Sequence, residues 1–178
     1  MAVKLVKPIN HKKVVKITNQ DFEAKMRELR VNSDIAVAVS GGPDSLALMH
    51  LSNRYALNNN INLTVLSIDH GIRAESSKEI VWLEKIAKKN KINFYSTKLK
   101  KKINSSNTLS KARTLRYEAL SKYCNKKKIK FLLTAHHLDD EIENFLMRLI
   151  RGSGVKGLSS LKVKSRYKNT KLILVRPL

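Results

Sequence analysis

The sequence predicts an α/β domain with a doubly wound, mostly parallel five-stranded sheet and helices on both faces. Five short runs of apolar and β-branched residues alternate with segments of helical periodicity, as expected when parallel strands are joined by helical crossovers. The strand candidates are apolar almost throughout, which is typical of strands covered on both faces. The 178 residues suit a single domain, because one hydrophobic core usually serves about 100–200 residues.

The predicted strands lie at residues 35–39, 63–68, 93–97, 131–134 and 172–175. Predicted helices cover residues 45–57, 77–90, 109–128 and 139–150. A further helix begins near Thr18, where Thr18 and Asp21 form a capping-box pattern ahead of Phe22. Polar, aperiodic stretches at 100–107, 152–160 and 162–170 are predicted to be connectors. Residues 1–178 are therefore assigned to one domain, and the final strand, with nothing after it, is the pattern of a chain cut before its natural end.

Positive charge is the most unusual bulk property of the chain. Thirty-six Lys and Arg residues against 14 Asp and Glu residues give a formal net charge of +22. Charge of this sign attracts polyanions, and nucleic-acid binding gains affinity from it through counterion release. Codon drift in an AT-rich genome also enriches Lys together with Ile and Asn. The charge therefore indicates an acidic partner without identifying one.

Cellular location is inferred from features that the sequence lacks. The single cysteine, Cys124, excludes an internal disulfide framework and a Cys-x-x-Cys pair. No apolar run reaches the ~18–20 residues that span a membrane, and the first residues lack the apolar segment of a secretory signal. We expect a cytoplasmic protein without a membrane partner, and a homodimer is one possible assembly. Cys124 and Trp82 are both interpreted as packed core residues.

The first predicted strand is followed by the loop Ser40-Gly41-Gly42-Pro43-Asp44-Ser45. Glycine can adopt positive φ and lets the backbone approach a ligand closely, and proline suits the first turn of a helix. A helix that begins near Asp44 points its N–H groups and the positive end of its dipole at an anion in the loop. No lysine occupies the phosphate-gripping position of the Gly-x-x-x-x-Gly-Lys-Ser/Thr loop. The alternative is an ordinary turn capped by Ser40 or Asp44.

Two more polar clusters follow predicted strands. The cluster after the second strand begins at Asp69 and includes His70 and Arg73, and the cluster after the fourth strand includes His136 and His137. Doubly wound sheets bind ligands at the carboxyl ends of their strands. The three clusters therefore predict one ligand edge, although the histidines could instead be satisfied structural residues.

Carboxylates cluster at the start of the helix predicted at 139–150. Asp139 and Glu143 are four residues apart and Asp140 and Glu143 are three apart, so they share one helix face. Such oxygen ligands can hold Mg²⁺ against substrate phosphates, or can pair with an ammonium group. The alternative is that acidic residues simply stabilise the first turn of a helix.

Arg113 and Arg116 lie one helical turn apart in the helix predicted at 109–128. An arginine pair with this spacing can bind phosphate or carboxylate. A solvated helix face is the alternative interpretation.

These motifs together resemble a known family. The loop at 40–45 matches the Ser-Gly-Gly-x-Asp-Ser signature of the PP-loop ATP pyrophosphatases. The wider series resembles the tRNA(Ile)-lysidine synthetases in Asp69-His70-Gly71-Ile72-Arg73, Ala112-Arg113 with Arg116-Tyr117, Ala135-His136-His137-Leu138-Asp139-Asp140, and Arg151-Gly152-Ser153-Gly154 with Gly157-Leu158. The motifs occur in family order from about residue 35 to residue 178, and they imply a Rossmann-like PP-loop ATPase fold.

The resemblance implies a ligase that uses ATP and Mg²⁺. ATP would adenylate O2 of the wobble cytidine in the CAU anticodon of tRNA(Ile), and free L-lysine would then displace AMP to leave lysidine. The family pattern assigns ATP to Ser40, Gly41, Gly42, Pro43, Asp44, Ser45, His70 and Arg73. It assigns catalysis to Asp44, His137, Asp139, Asp140 and Glu143, Mg²⁺ to Asp44 and Asp140, and lysine or phosphate to Arg113, Arg116, Asp139 and Glu143.

Two departures from the family pattern keep other functions open. Asn144 stands where the family more often has threonine, and family members usually continue into further domains that grip the tRNA. One alternative is another PP-loop tRNA-modifying enzyme, such as a 2-thiolation enzyme, although those rely on cysteines and Cys124 stands alone. The other is a non-catalytic basic RNA-binding module, against which the intact glycines and carboxylates argue.

Overall fold

The computed structural model of the chain describes residues 17–69, 76–98, 108–135 and 162–178. The helices are α1 (Asn19–Glu28), α2 (Pro43–Asn58), α3 (Ser76–Lys89) and α4 (Thr108–Lys126). The strands are β1 (Ile35–Ala38), β2 (Leu63–Asp69), β3 (Asn93–Lys98), β4 (Phe131–Thr134), β5 (Lys164–Arg166) and β6 (Ile173–Val175). The predicted α/β class is confirmed. The helix predicted at 139–150 and the connectors at 100–107 and 152–160 lie outside the described residues.

Six strands form one sheet in the order β3-β2-β1-β4-β6-β5. All neighbouring pairs are parallel except β5 with β6. The central strand β1 pairs with β2 on one side, starting at Ile35 opposite Leu63, and with β4 on the other, starting at Ile35 opposite Phe131. The winding direction reverses between β1 and β4. Doubly wound sheets bind their ligands outside the carboxyl ends of the strands at this kind of switch point.

Helices cover both faces of the sheet. On one face, Leu48 of α2 and Leu83 of α3 belong to the same core cluster as Val37 of β1. On the other face, Cys124 of α4 packs in a cluster with Ala36 of β1. Successive residues of β1 are thus buried on opposite faces, which explains the unbroken apolar runs in the sequence. The prediction that Cys124 is a packed core residue is confirmed. None of the described helices has the length and apolarity needed to cross a membrane.

The capping box predicted at α1 is confirmed. Thr18 Oγ1 accepts a hydrogen bond from the Asp21 N–H at 3.2 Å, and Asp21 Oδ2 accepts one from the Thr18 N–H at 2.9 Å. Hydrogen bonds from the Thr18 side chain and backbone lower the pKa of Asp21, because they stabilise its ionised form. The capped helix then buries Phe22 and Met26 against the sheet.

The prediction of five strands was wrong by one. Residues 162–170, predicted to be a connector, contain β5, which pairs with β6 from Lys164 opposite Val175 to Arg166 opposite Ile173. The residues of this edge strand are only partly buried or exposed. Because an edge strand of this kind buries no continuous apolar face, its sequence lacks the pattern that revealed the other strands.

The prediction that Trp82 is a core residue was also wrong. Its side chain is 46% exposed, whereas Leu83 and Ala87 on the same helix are fully buried. The helix α3 can turn only one side towards the sheet, and the residues at 83 and 87 occupy that side.

Candidate functional site

The loop from β1 to α2 adopts the conformation that its glycines predict. Gly41 has a φ of +92°, and a Cβ added there would meet nothing within 4 Å, so the backbone angle rather than space requires glycine. Gly42 has a φ of −70° and is the N-cap of α2, with Pro43 in the first turn. The first motif of the sequence is therefore a turn with positive φ that runs directly into a helix.

The side chain of Ser45 makes hydrogen bonds across this loop. Its hydroxyl donates to the Gly42 carbonyl at 2.9 Å and accepts from the Ser40 N–H at 3.3 Å, and it lies 3.4 Å from the Ser40 hydroxyl. Ser45 is buried. These bonds hold the two ends of the loop together.

The N-terminus of α2 suits an external anion. Gly42 makes no side-chain hydrogen bond to the first turn, so no N-cap side chain occupies the position where an anion's oxygens would bind. The helix dipole adds positive potential at this end. Asp44 lies in the first turn beside this position.

A cleft of about 220 Å³ opens beside the loop, at the carboxyl ends of β1 and β4. Three elements build its walls: the loop itself, the carboxyl-terminal parts of the strands, and α4. The residues with polar side chains on these walls are Ser40, Asp44, Ser45, Arg116, Tyr117 and Thr134. Leu66, Ile68 and Leu120 provide apolar lining. The cleft thus combines a helix N-terminus suited to an anion with an apolar wall.

Of the arginines that the structure describes, Arg116 lines the cleft. Burial lowers the pKa of its guanidinium, and repulsion from Arg113 lowers it further, while Tyr117 acts in the opposite direction. Within the described residues no salt bridge pairs Arg116 with a carboxylate. The guanidinium carbons of Arg113 and Arg116 each lie 5.7 Å from the centre of the Tyr117 ring. Of these two arginines, only Arg116 lines the cleft. A partly desolvated cation in this position favours an anionic ligand.

Thr134 was missed by the sequence analysis. It is the last residue of β4, its side chain is buried, and it lines the cleft. Its hydroxyl has no hydrogen-bond partner among the described parts of the chain. Buried hydroxyls are normally hydrogen-bonded, so a ligand in the cleft is a natural partner.

Several predicted site residues lie outside the described residues, namely His70, Arg73, His136, His137, Asp139, Asp140 and Glu143. The strands that precede them end at the cleft edge, β2 at Asp69 and β4 at Thr134. No group of three or more His, Cys, Asp or Glu side chains suited to a metal ion occurs within the described ranges. The metal site predicted at Asp44 and Asp140 therefore stays a prediction.

Fold, loop and cleft together define an α/β domain of the class that binds phosphate-bearing ligands at a helix N-terminus. The sequence profile described as a PP-loop domain, an ATP-binding family, matches residues 10–178. The chain belongs to this family.

Curated relatives carry a more specific name. A "tRNA(Ile)-lysidine synthase" of Rickettsia bellii (strain OSU 85-389) is 49% identical over 146 residues, which cover 82% of this chain and 33% of the relative. The protein of the same name from Rickettsia akari (strain Hartford) is 43% identical over 162 residues, or 89% of this chain and 37% of the relative. The chain spans about a third of the length of these relatives.

A solved structure shares the fold over most of the chain. It is the U34-tRNA thiolase NcsA from Methanococcus maripaludis, with its [4Fe-4S] cluster. The TM-score is 0.72 and the sequence identity 26%, and the match covers 89% of this chain and 58% of the thiolase.

Gly41→Ala tests the role of backbone conformation in the loop. We expect a loss of about 1–2 kcal/mol in the free energy of unfolding, because an L side chain disfavours positive φ. Gly42→Ala is the matched control and should cost less than about 1 kcal/mol, since its φ is negative and its new Cβ would lie 3.8 Å from the Ser40 hydroxyl oxygen. Urea denaturation measures both variants, and equal losses would contradict the assignment.

Arg116→Met tests the cation in the cleft. Calorimetry with inorganic pyrophosphate should show about tenfold weaker binding, the loss expected for one charge-assisted contact. Arg113→Met removes a neighbouring charge that does not line the cleft and should change affinity less than about threefold. An effect of Arg113→Met as large as that of Arg116→Met would show that the arginines act only through general charge.

Proposed function

We propose that this domain binds ATP and uses it to activate the wobble cytidine of tRNA(Ile), with the anticodon CAU, for attack by free L-lysine. The observation that carries the proposal is the N-terminus of α2, which lies at the switch-point cleft and has no side-chain cap. The curated relatives named tRNA(Ile)-lysidine synthase support the choice of substrate, and the motif series quoted above agrees with them.

The cleft supports ATP as the activating substrate. Backbone N–H groups at the start of α2 and the guanidinium of Arg116 suit the phosphate chain, and each charge-assisted hydrogen bond contributes about 1.5–3 kcal/mol. Leu66, Ile68 and Leu120 offer an apolar wall for the flat face of a purine. The described cleft, at about 220 Å³, is smaller than the ~300–1,000 Å³ of typical ligand pockets. Residues 70–73 and 136–143 would supply the remaining walls.

The described residues supply one part of a ligand set for Mg²⁺. Asp44 offers a hard oxygen ligand beside the proposed phosphate position, and Asp140 would be the second. When bound together with ATP, the ion would neutralise negative charge on the phosphates.

The proposed reaction has two steps. O2 of the cytidine attacks the α-phosphorus of ATP, and the bond to the pyrophosphate leaving group breaks. The lysine ε-ammonium gives up a proton to solvent or to a carboxylate of the site, the neutral ε-amine then attacks C2, and the C2–O2 bond breaks with release of AMP. Arg116 would hold phosphate, Arg113 beside it would hold the lysine carboxylate, and Asp139 and Glu143 would hold the lysine ammonium. His137 and Asp140 would complete the catalytic set.

A second candidate function is tRNA thiolation, which the structural match to the U34-tRNA thiolase favours. That protein holds a [4Fe-4S] cluster, and such clusters are bound by cysteine thiolates. These 178 residues contain one cysteine, Cys124. It lies on the buried side of α4, and burial raises the pKa of its thiol to about 12. A protonated thiol in the core is a poor sulfur carrier, which favours lysine ligation.

Asp44→Ala tests the proposed chemistry. The variant should lose tRNA-dependent release of pyrophosphate by at least about a hundredfold, because Asp44 would position the phosphates and their metal ion. The assay follows pyrophosphate release, and mass spectrometry identifies the modified wobble nucleoside. Glu28→Ala, on the exposed end of α1, is the control and should keep full activity.

Three outcomes would separate the candidate functions. Unchanged turnover in Asp44→Ala would contradict the site assignment. Recovery of a thiolated base would favour the thiolase function. Binding of tRNA without pyrophosphate release under any condition would indicate a non-catalytic RNA-binding module.

A further inference from the structure

A second surface lies on α3, facing away from the sheet. We call it the α3 outer face and define it by Lys78, Val81, Trp82, Lys85 and Lys89. The spacing of three and four residues places these side chains on one side of the helix. Four of them, from Lys78 to Lys85, line a shallow groove.

The apolar part of this face has no role in the core. Val81 is 51% exposed and Trp82 is 46% exposed, while α3 is anchored by the buried Leu83 and Ala87. Six large hydrophobic side chains are exposed among the described residues, and these two are the only sequence neighbours in that set. An exposed indole offers a large flat surface that gains stability when another ring covers it.

The charge around the indole selects the kind of partner. Lys78 and Lys85 flank Trp82 in the groove, and Lys89 extends the same face by another turn. Glu79, three residues before Trp82, and Glu84, three residues after Val81, border this face, so its three lysines outnumber the two carboxylates beside it. A second copy of the chain would bring like charges together, and the net charge of +22 opposes that approach. The face is complementary to a polyanion.

Cations around an exposed aromatic ring are the arrangement that binds unpaired nucleotides. Bases stack on the ring, and the neighbouring phosphates pair with the cations. Single-stranded RNA therefore fits the α3 outer face in both shape and charge.

The topology places the start of α3 at the same edge of the sheet as the cleft. The strands β2 and β3 are parallel, so the helix between them must begin at the carboxyl edge of the sheet, where the cleft lies. Trp82 is six residues from the first residue of α3, Ser76, or about 9 Å along the helix axis. The α3 outer face therefore begins at the edge of the sheet on which the cleft opens.

We propose that the α3 outer face is an RNA-docking surface, on which an unpaired base of the substrate stacks on Trp82 while flanking phosphates contact Lys78 and Lys85. The choice of tRNA as the RNA rests on the proposed function. The surface itself rests on the exposure and charge of α3.

Trp82 is the only tryptophan of the chain, so its fluorescence reports directly on this face. Titration of the 178-residue protein with tRNA(Ile) should quench the emission and should protect the indole from acrylamide. With end-labelled tRNA, Trp82→Ala should weaken binding about tenfold, as expected for the loss of one stacked base. Trp82→Phe, which keeps an aromatic ring, should restore most of the affinity.

The contribution of the lysines is measured separately. The double variant Lys78→Gln/Lys85→Gln should reduce the slope of log affinity against log salt by about two, one for each phosphate contact. Leu57→Ala removes an exposed side chain of α2 and should not change affinity. Lys126→Gln/Lys127→Gln, at the far end of α4, is the control for total charge and should lower the slope less.

The result that overturns the inference is unchanged affinity in Trp82→Ala together with unchanged access of acrylamide to Trp82. Quenching by vesicles of phosphatidylserine and phosphatidylcholine, without quenching by RNA, would also overturn it and would assign the face to membrane surfaces. Asp44→Ala separates this inference from the proposed function. In that variant, tRNA should still quench the fluorescence of Trp82, because the α3 outer face is unchanged. Loss of pyrophosphate release in the same variant would report only on the catalytic cleft.

Discussion

The path of the chain after β1, the central strand, determines where the rest of the site lies. Hydrogen-bonded neighbours flank β1 on both sides, so the chain leaves the plane of the sheet at its end, and α2 starts at Pro43 after four intervening residues. The positive φ of Gly41 permits this turn, and Ser45 closes it through its bonds to Ser40 and Gly42. The start of α2 is therefore fixed over the switch point of the sheet. Anion binding there requires no lysine, because backbone amides and the helix dipole provide the positive potential.

The sequence predicted strands best where both faces of the strand are buried. The strands β1 and β4 were predicted to within one residue because both of their faces are covered, whereas β5 was missed because an edge strand carries no such pattern. The turn at Gly41 was predictable from local chemistry alone. The spacing of Arg113 and Arg116 predicted a pair, but which arginine faces the cleft depends on the rotation of α4 against the sheet. That rotation is a property of tertiary packing that no local pattern encodes.

The environments of Thr134 and Trp82 also depend on tertiary packing, so local sequence did not predict them. A threonine at the end of a strand is ordinary in sequence, and only the pairing of β4 with β1 places Thr134 on the cleft wall. Residue type alone places a tryptophan in the core, yet Trp82 is on the outside because Leu83 and Ala87 occupy the inner side of α3. The positively charged side chains likewise lie in two kinds of environment. Arg116 is partly desolvated and lines the cleft, whereas the lysines of the α3 outer face are exposed, so their interactions are screened by salt.

Backbone NMR during a titration with ATP and Mg²⁺ tests the central claim most directly, because it observes the amides themselves. The account predicts that the N–H resonances of Gly41, Gly42, Asp44 and Ser45 shift and saturate together, while those of the remote edge strand β5 stay in place. Resonances of the loop that remain unchanged at millimolar nucleotide would contradict the assignment of the start of α2 as the phosphate site.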